Sequence, residues 1–261
     1  MPNLSGRTAI VTGGATLIGH GVAAELAAAG ANVVVVDIDT KGGEEAAALA
    51  PSISFLRTDI TDDDSLTHMV ESVVDRHGGI DIVVNLAAVY IDDGFDTPRA
   101  RWLTALDVNV VSMVEVVRNC TEWLKHSDGA AVINFTSISG KVAQTGRWVY
   151  PTSKAAVAQL TRSMAIDLAP HNIRVNSVNL GWTWSKIMDE LSHGDRAKTD
   201  AVAAPFHLTQ RVADPAEIGK VVAFLASDDA SVVVGADWAV DGGYSAMGPE
   251  SSSPAIPKLM E

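Results

Sequence analysis

Six short runs dominated by β-branched and other apolar residues recur along the chain: TAIVT (8–12), NVVVVD (32–37), ISFLR (53–57), DIVVN (81–85), AAVINF (130–135) and IRVNSVN (173–179). Each reads as a strand buried on both faces. Between them lie helical patterns over 18–30, 62–77, 101–125 and 152–169, and strands alternating with helices predict a parallel sheet covered on both sides. Punctuation agrees: Thr61 to Asp64 offer cap oxygens ahead of one helix, and Gly78 and Gly79 close it before the strand at 81. The expected fold is a doubly wound α/β sheet in a single domain over 1–245. Residues 246–261, with three prolines and a serine run, form an extended tail.

Bulk properties narrow the function. Of 261 residues 47% are hydrophobic, ample for one large core, and 32 acidic against 19 basic residues give a net charge of -13. That charge opposes binding to nucleic acid or anionic membranes. No stretch approaches the ~18 apolar residues that span a bilayer, and no charged leader precedes an apolar segment, so a cytoplasmic protein is expected. The single cysteine, Cys120, sits in VVRNCTEWL and reads as a buried thiol in a reducing compartment.

The segment TGGATLIGHG follows the first strand, where backbone N–H groups at a helix N-terminus can cradle a pyrophosphate. Gly13, Gly14, Gly19 and Gly21 suit such a loop, but Leu17 stands where glycine is usual. A left-handed backbone at Leu17 would cost ~1–2 kcal/mol, whereas a place in the first helical turn would leave its N–H available. Asp37 ends the second strand, where a carboxylate accepts both adenine-ribose hydroxyls and repels a 2'-phosphate, so NAD is expected over NADP. Neither Ile38 nor Thr16 supplies a phosphate clamp.

Tyr150 and Lys154 in VYPTSKAAV are four residues apart, one turn along a helix face. An ammonium beside the phenol would bring its pKa from ~10 toward the ~7–8 useful for acid–base work. His193 and His207 have no second ligand at metal-site spacing, and no metal is expected.

Together these pieces resemble the short-chain dehydrogenase/reductase family over nearly the whole chain. TGGATLIG is similar to its TGxxxGxG loop, VNLAAV (84–89) to its Asn-Asn-Ala-Gly segment, and VNLGWTWS to the stretch ending PGxxxT. VGADWAVDGGYS is similar to its terminal strand and turn, and Ser137 lies thirteen residues before Tyr150 as in the family. Ala88 and Leu180 replace a usual glycine and proline. The resemblance implies a Rossmann-like fold and a catalytic set of Asn109, Ser137, Tyr150 and Lys154. Tyr150 would exchange the hydroxyl proton, Ser137 orient the reacting oxygen, Lys154 lower the tyrosine pKa and hold the nicotinamide ribose, and Asn109 position a water.

It further implies cofactor contacts from Gly13, Thr16, Leu17, Ile18, Asp37, Asp59, Ile60, Asn85, Ala87, Tyr150, Lys154, Gly181, Thr183 and Ser185. The substrate loops carry Tyr90, Arg147, Trp148 and Trp182 alongside Ser137, with Lys141, Gln144, Trp184, His193 and His207 nearby. Aromatic faces with polar neighbours suit a sugar or cyclic diol, and Lys141 or Arg147 can meet an acidic substituent. The expected protein is an NAD-dependent dehydrogenase interconverting a secondary alcohol and a carbonyl on a small polyhydroxylated or cyclic substrate such as a sugar or diol, assembled as a homotetramer. A weakly catalytic NAD-sensing binding protein is the alternative, with Leu17 its one support.

Overall fold

The apolar runs become strands whose successive side chains point to opposite faces, so each run feeds two cores. The computed structural model describes residues 2–248 and 251. In chain order it contains β1 (Thr8–Thr12), α1 (Leu17–Ala28), β2 (Asn32–Asp37), α2 (Thr40–Ala47), β3 (Ile53–Arg57), α3 (Asp63–His77), β4 (Ile82–Asn85) and α4 (Arg99–Leu106). There follow α5 (Ser112–Leu124), β5 (Ala131–Ser137), α6 (Val149–Leu168), β6 (Arg174–Leu180), α7 (Lys186–Ser192), α8 (Arg196–Ala203), α9 (Pro215–Ala226) and β7 (Asp237–Val240). All pairings are parallel, with Ile10 opposite Val34 on one side and Val83 on the other. The order is β3-β2-β1-β4-β5-β6-β7, the doubly wound Rossmann-like sheet expected.

Ala9, Val11, Val33 and Val35 pack against Val22 and Leu26 of α1 and Val222 of α9. Ile10, Val34 and Val36 face the other way, toward Leu66 and Met69 of α3, Val116 and Cys120 of α5, and Met164 of α6. Burial pushes the Cys120 thiol up to about 12, as befits an inert core residue.

Two expectations need adjustment. The helix read over 101–125 runs unbroken over 99–124 but is not one α-helix: α4 ends at Leu106, residues 107–111 wind as a π-helix, and α5 begins at Ser112. The tail read over 246–261 lies outside the described residues apart from 246–248 and 251.

Helices α1 and α9 touch backbone to backbone. A Cβ on Gly219 would stand 2.4 Å from the carbonyl oxygen of Gly21, so only glycine allows this crossing. Gly219→Ala is expected to cost about 1–3 kcal/mol of unfolding free energy, read from urea denaturation, because the contact is with backbone that cannot rotate away.

Candidate active site

The chain runs outward from β1 to β3, then returns to β4 on the other side of β1, and this reversal opens a crevice at the carboxyl ends of the strands. Two cavities occupy it, of about 300 and about 610 Å³. They share Ile18, Tyr90 and Ser185 and so form one cleft.

Gly13, Thr16, Leu17, Ile18, Asp37, Asp59, Ile60, Ala87 and Ser185 all line the smaller cavity. Gly13 has φ +68°, and a Cβ there would lie 2.7 Å from the backbone of Ala87, so glycine lets the β1 and β4 loops meet at the cleft floor. Thr16 caps α1, its Oγ1 accepting the N–H of Gly19 at 3.1 Å. Leu17 is the first residue of α1 and has a right-handed backbone, so the penalty of a left-handed leucine does not arise. The Leu17 and Ile18 N–H groups, in the first helical turn, have no intrahelical acceptor. Asp37 accepts the N–H of Ala15 at 3.1 Å and of Asp39 at 3.0 Å, which fixes its carboxylate on the loop. Asp59 accepts both the hydroxyl and the N–H of Thr61, and these bonds hold its carboxyl below the usual range. Unpaired N–H groups at a helix start, a fixed carboxylate beyond them and an apolar slot between Ile38 and Ile60 match the charge pattern of a dinucleotide.

Ser137, Tyr90, Arg147, Tyr150, Trp182, Gly181 and Thr183 line the larger cavity. Tyr150 donates to the Tyr90 hydroxyl at 3.2 Å, and the two rings stack at 4.3 Å between centroids. Lys154 is buried, with Nζ donating to the Phe135 carbonyl at 2.8 Å and lying 5.6 Å from the Tyr150 ring centroid. The expected lowering of the Tyr150 pKa by Lys154 does not hold here. Burial, then the Tyr90 phenol, push the Tyr150 hydroxyl well above the ordinary tyrosine value, while Ser137 and Arg147 oppose them. Burial also pushes Lys154 down to about 8.

Three expected residues stand behind the cleft wall. Asn109, carried inward by the π-helical stretch, accepts the N–H of Val89 at 2.8 Å and donates to the Val89 carbonyl and to Ser153 Oγ at 3.1 Å. Asn85 donates to Asn134 at 3.0 Å, leaving its own buried Oδ1 without a partner among the described residues. Lys154 is the third.

Other expectations fail. Trp148 is half-exposed and packs edge-on against Phe95, 5.6 Å between centroids, outside both cavities. Trp184 lies under the Arg196 guanidinium instead of facing the cleft. Lys141 is paired with Asp237 at 3.0 Å. His207 is buried, its ring nitrogens bonded to the Ala203 carbonyl and the Trp182 N–H, so it buttresses Trp182 from behind.

Asp92 was not legible as a site residue. From the loop after β4, its carboxylate accepts the N–H groups of Trp148 at 2.9 Å and of Val149 and Tyr150 at 3.0 Å, and so caps α6. Pro151, next in line, has no N–H to satisfy, so one carboxylate completes the helix start. The signal in the sequence is negative: Trp148 and Arg147, not Ser, Thr, Asp or Asn, immediately precede VYPTSK, and a helix without a local cap needs an acceptor from elsewhere. Burial pushes the Asp92 carboxyl up, but the N–H groups of Trp148, Tyr150, Gly94 and Val149 outweigh it and hold it below the usual carboxylate range.

Comparison with known proteins agrees with this architecture. A family model described as enoyl-(acyl carrier protein) reductase matches residues 13–245. The cis-4-hydroxycyclohexanecarboxylate dehydrogenase of Sinomonas cyclohexanicum is 35% identical over 92% of this chain and 97% of its own. The cyclopentanol dehydrogenase of Comamonas testosteroni is 32% identical over 94% and 100%. The crystal structure of gox2181 superposes with a TM-score of 0.85 at 31% identity, covering 94% of this chain and 98% of its own. The chain belongs to the short-chain dehydrogenase/reductase family and is an oxidoreductase. Among the described residues no helix is long and apolar enough to cross a membrane.

Asp92→Ala is expected to cost about 1–2 kcal/mol of unfolding free energy at neutral pH, since the N–H groups of Gly94, Trp148, Val149 and Tyr150 lose their acceptor. Because the folded-state pKa is lowered, the advantage of wild type over the variant is present above the unfolded value of ~4 and vanishes as pH falls through the folded one. Urea unfolding of both proteins at pH 7, 5 and 3 checks it.

Proposed function

We propose that the chain is an NAD-dependent dehydrogenase that interconverts a small secondary alcohol, carried on or beside a ring, with its carbonyl. One observation carries the reading: the buried Tyr150 phenol opens into the larger cavity beside Ser137, with buried Lys154 behind it, where that cavity joins the one holding Asp37. The activities for which the Sinomonas and Comamonas relatives are named, both on ring alcohols, support the substrate class.

The nicotinamide, when bound, supplies a two-electron hydride acceptor or donor. Tyr150 Oη takes the proton of the alcohol during oxidation and returns it to the carbonyl oxygen during reduction. Ser137 Oγ hydrogen-bonds the reacting oxygen and fixes it against the phenol. Lys154, charged below about pH 8 and anchored to the Phe135 carbonyl behind the phenol, would hold the nicotinamide ribose hydroxyls when the cofactor is bound. Asn109 acts through others, holding Val89 and Ser153 so that the β4 loop and α6 keep their distance. Gly13, Thr16, Leu17 and Ile18 receive the diphosphate, Asp37 the adenosine ribose, Asp59 and Ile60 the adenine, and Gly181, Thr183 and Ser185 the nicotinamide end; Asn85 and Ala87 support the floor. Exposed Leu103 and Val111 near α4 and α5 and Ile166 on α6 suit burial in a homotetramer. The NAD-sensing alternative rested on Leu17, and the helical backbone at that position counts against it, since the N–H there stays available.

Purified protein given NAD and panels of cyclic alcohols, sugars and simple secondary alcohols is expected to generate NADH with the ring alcohols. Tyr150→Phe is expected to lower turnover by about 10²–10⁴-fold while remaining folded. Near-normal turnover in that variant sinks the mechanism. NAD is expected to exceed NADP by about tenfold or more in kcat/KM, as a carboxylate facing a 2'-phosphate costs upwards of ~1.4 kcal/mol. Equal use of both overturns the assignment of Asp37.

A further inference from the structure

The larger cavity has an unusual charge. The chain as a whole carries a net charge of -13, yet among the residues lining this cavity Arg147 alone is charged. The other candidate cation, Lys141, is taken by Asp237. Arg147 has no carboxylate partner among the described residues; its side chain makes one hydrogen bond, Nη1 donating to Gln144 Oε1 at 3.4 Å. Gln144 is itself fixed by Ser139, whose hydroxyl donates to the same Oε1 at 2.9 Å. A guanidinium has five N–H donors in a planar fork, so most of its capacity remains unused.

Its place is equally specific. The guanidinium carbon lies 5.3 Å from the Tyr150 ring centroid and 5.8 Å from that of Tyr90, against the stacked pair that bears the reactive phenol. Whatever binds Arg147 is therefore held within the same corner as an alcohol on Tyr150. Ile18, Ile138, Trp182 and Phe206 supply apolar wall for the body of such a molecule.

We infer that Arg147 is the anion receptor of the cavity, and that the substrate is a compact secondary alcohol bearing a carboxylate on its hydrocarbon frame. A single cation matches a monoanion, and the planar fork matches a carboxylate in two parallel hydrogen bonds. A phosphate dianion would call for more positive charge than the wall contains. The inference rests on the reading of Tyr150 as the acid–base group, and it adds the feature that selects among alcohols.

Two measurements test it, one without turnover. Cyclohexanecarboxylate, which has no alcohol to oxidise, is titrated into the protein by calorimetry beside cyclohexanecarboxamide. The acid is expected to bind and the amide to bind at least about tenfold more weakly, with the difference abolished in Arg147→Met and partly restored in Arg147→Lys. In turnover, 3-hydroxycyclohexanecarboxylate is compared with its methyl ester. Wild type is expected to favour the acid by about tenfold or more in kcat/KM, mainly through KM, and Arg147→Met to bring the ratio near one. Equal binding of acid and amide, equal use of acid and ester by wild type, or an unchanged preference in Arg147→Met overturns the receptor. An Arg147→Met effect that falls alike on acid and ester and shifts the pH profile overturns it too, and assigns Arg147 to the phenol. Binding of the acid without any alcohol oxidation leaves the receptor standing and refutes the dehydrogenase reading; oxidation of the ester without acid preference does the reverse.

Discussion

A parallel sheet buried on both faces has no surface left for chemistry, and this constraint governs the rest of the molecule. Ile10, Val34 and Val83 look one way and Val11, Val35 and Val84 the other, all into hydrocarbon. Polar function is forced to the strand ends, where loops leave the sheet. There the reversal between β1 and β4 opens the cleft, and Thr12 holds its edges together: its hydroxyl accepts the N–H groups of Leu86 and Ala87 at 3.2 and 3.3 Å. The cleft is thus a consequence of strand order, and its shape follows from one short contact between the β1 and β4 loops.

Helix α6 then brings the Tyr150 phenol to that edge. Tyr150 sits in its first turn and Lys154 one turn on, so both depend on how the helix begins. Asp92 and Asn109 make that beginning rigid from two directions. The first caps the helix from the β4 loop, and the second links Val89 of that loop to Ser153, whose own hydroxyl donates to the Tyr150 carbonyl at 2.7 Å. The loop that lines the smaller cavity and the helix that carries the Tyr150 phenol are therefore one mechanical unit.

The strands were legible because buried parallel strands are written as β-branched runs, and the reading of 8–12, 32–37 and 53–57 coincides with β1, β2 and β3. That Gly13, Asp37, Ser137 and Tyr150 gather around one cleft was implied by the family resemblance, and all four line it. What escaped has physical causes. A π-helical stretch slips the hydrogen-bond ladder without disturbing the apolar pattern, so 101–125 reads as a single helix. Loop side chains such as Trp148 and Trp184 carry no periodicity that says which way they face. Asp92 caps a helix more than fifty residues away, and only the missing local cap hints at it. Lys141 and Arg147 are equivalent cations in the sequence, and only the fold gives Lys141 the partner Asp237.

Leu17 shows why a departure from a glycine signature is not in itself a lesion. Glycine is indispensable where the backbone is left-handed or where another chain segment lies within reach of a Cβ, and Gly13 meets both conditions. Leu17 meets the first not at all: it begins α1 with a right-handed backbone, behind the Thr16 cap. A residue there presents its N–H to the crevice whatever its side chain, because the N–H belongs to the helix start and not to the residue type. The leucine side chain, 37% exposed, becomes apolar wall in the smaller cavity. Its effect is on the shape of the pocket, while the first-turn N–H donors stay where the helix puts them.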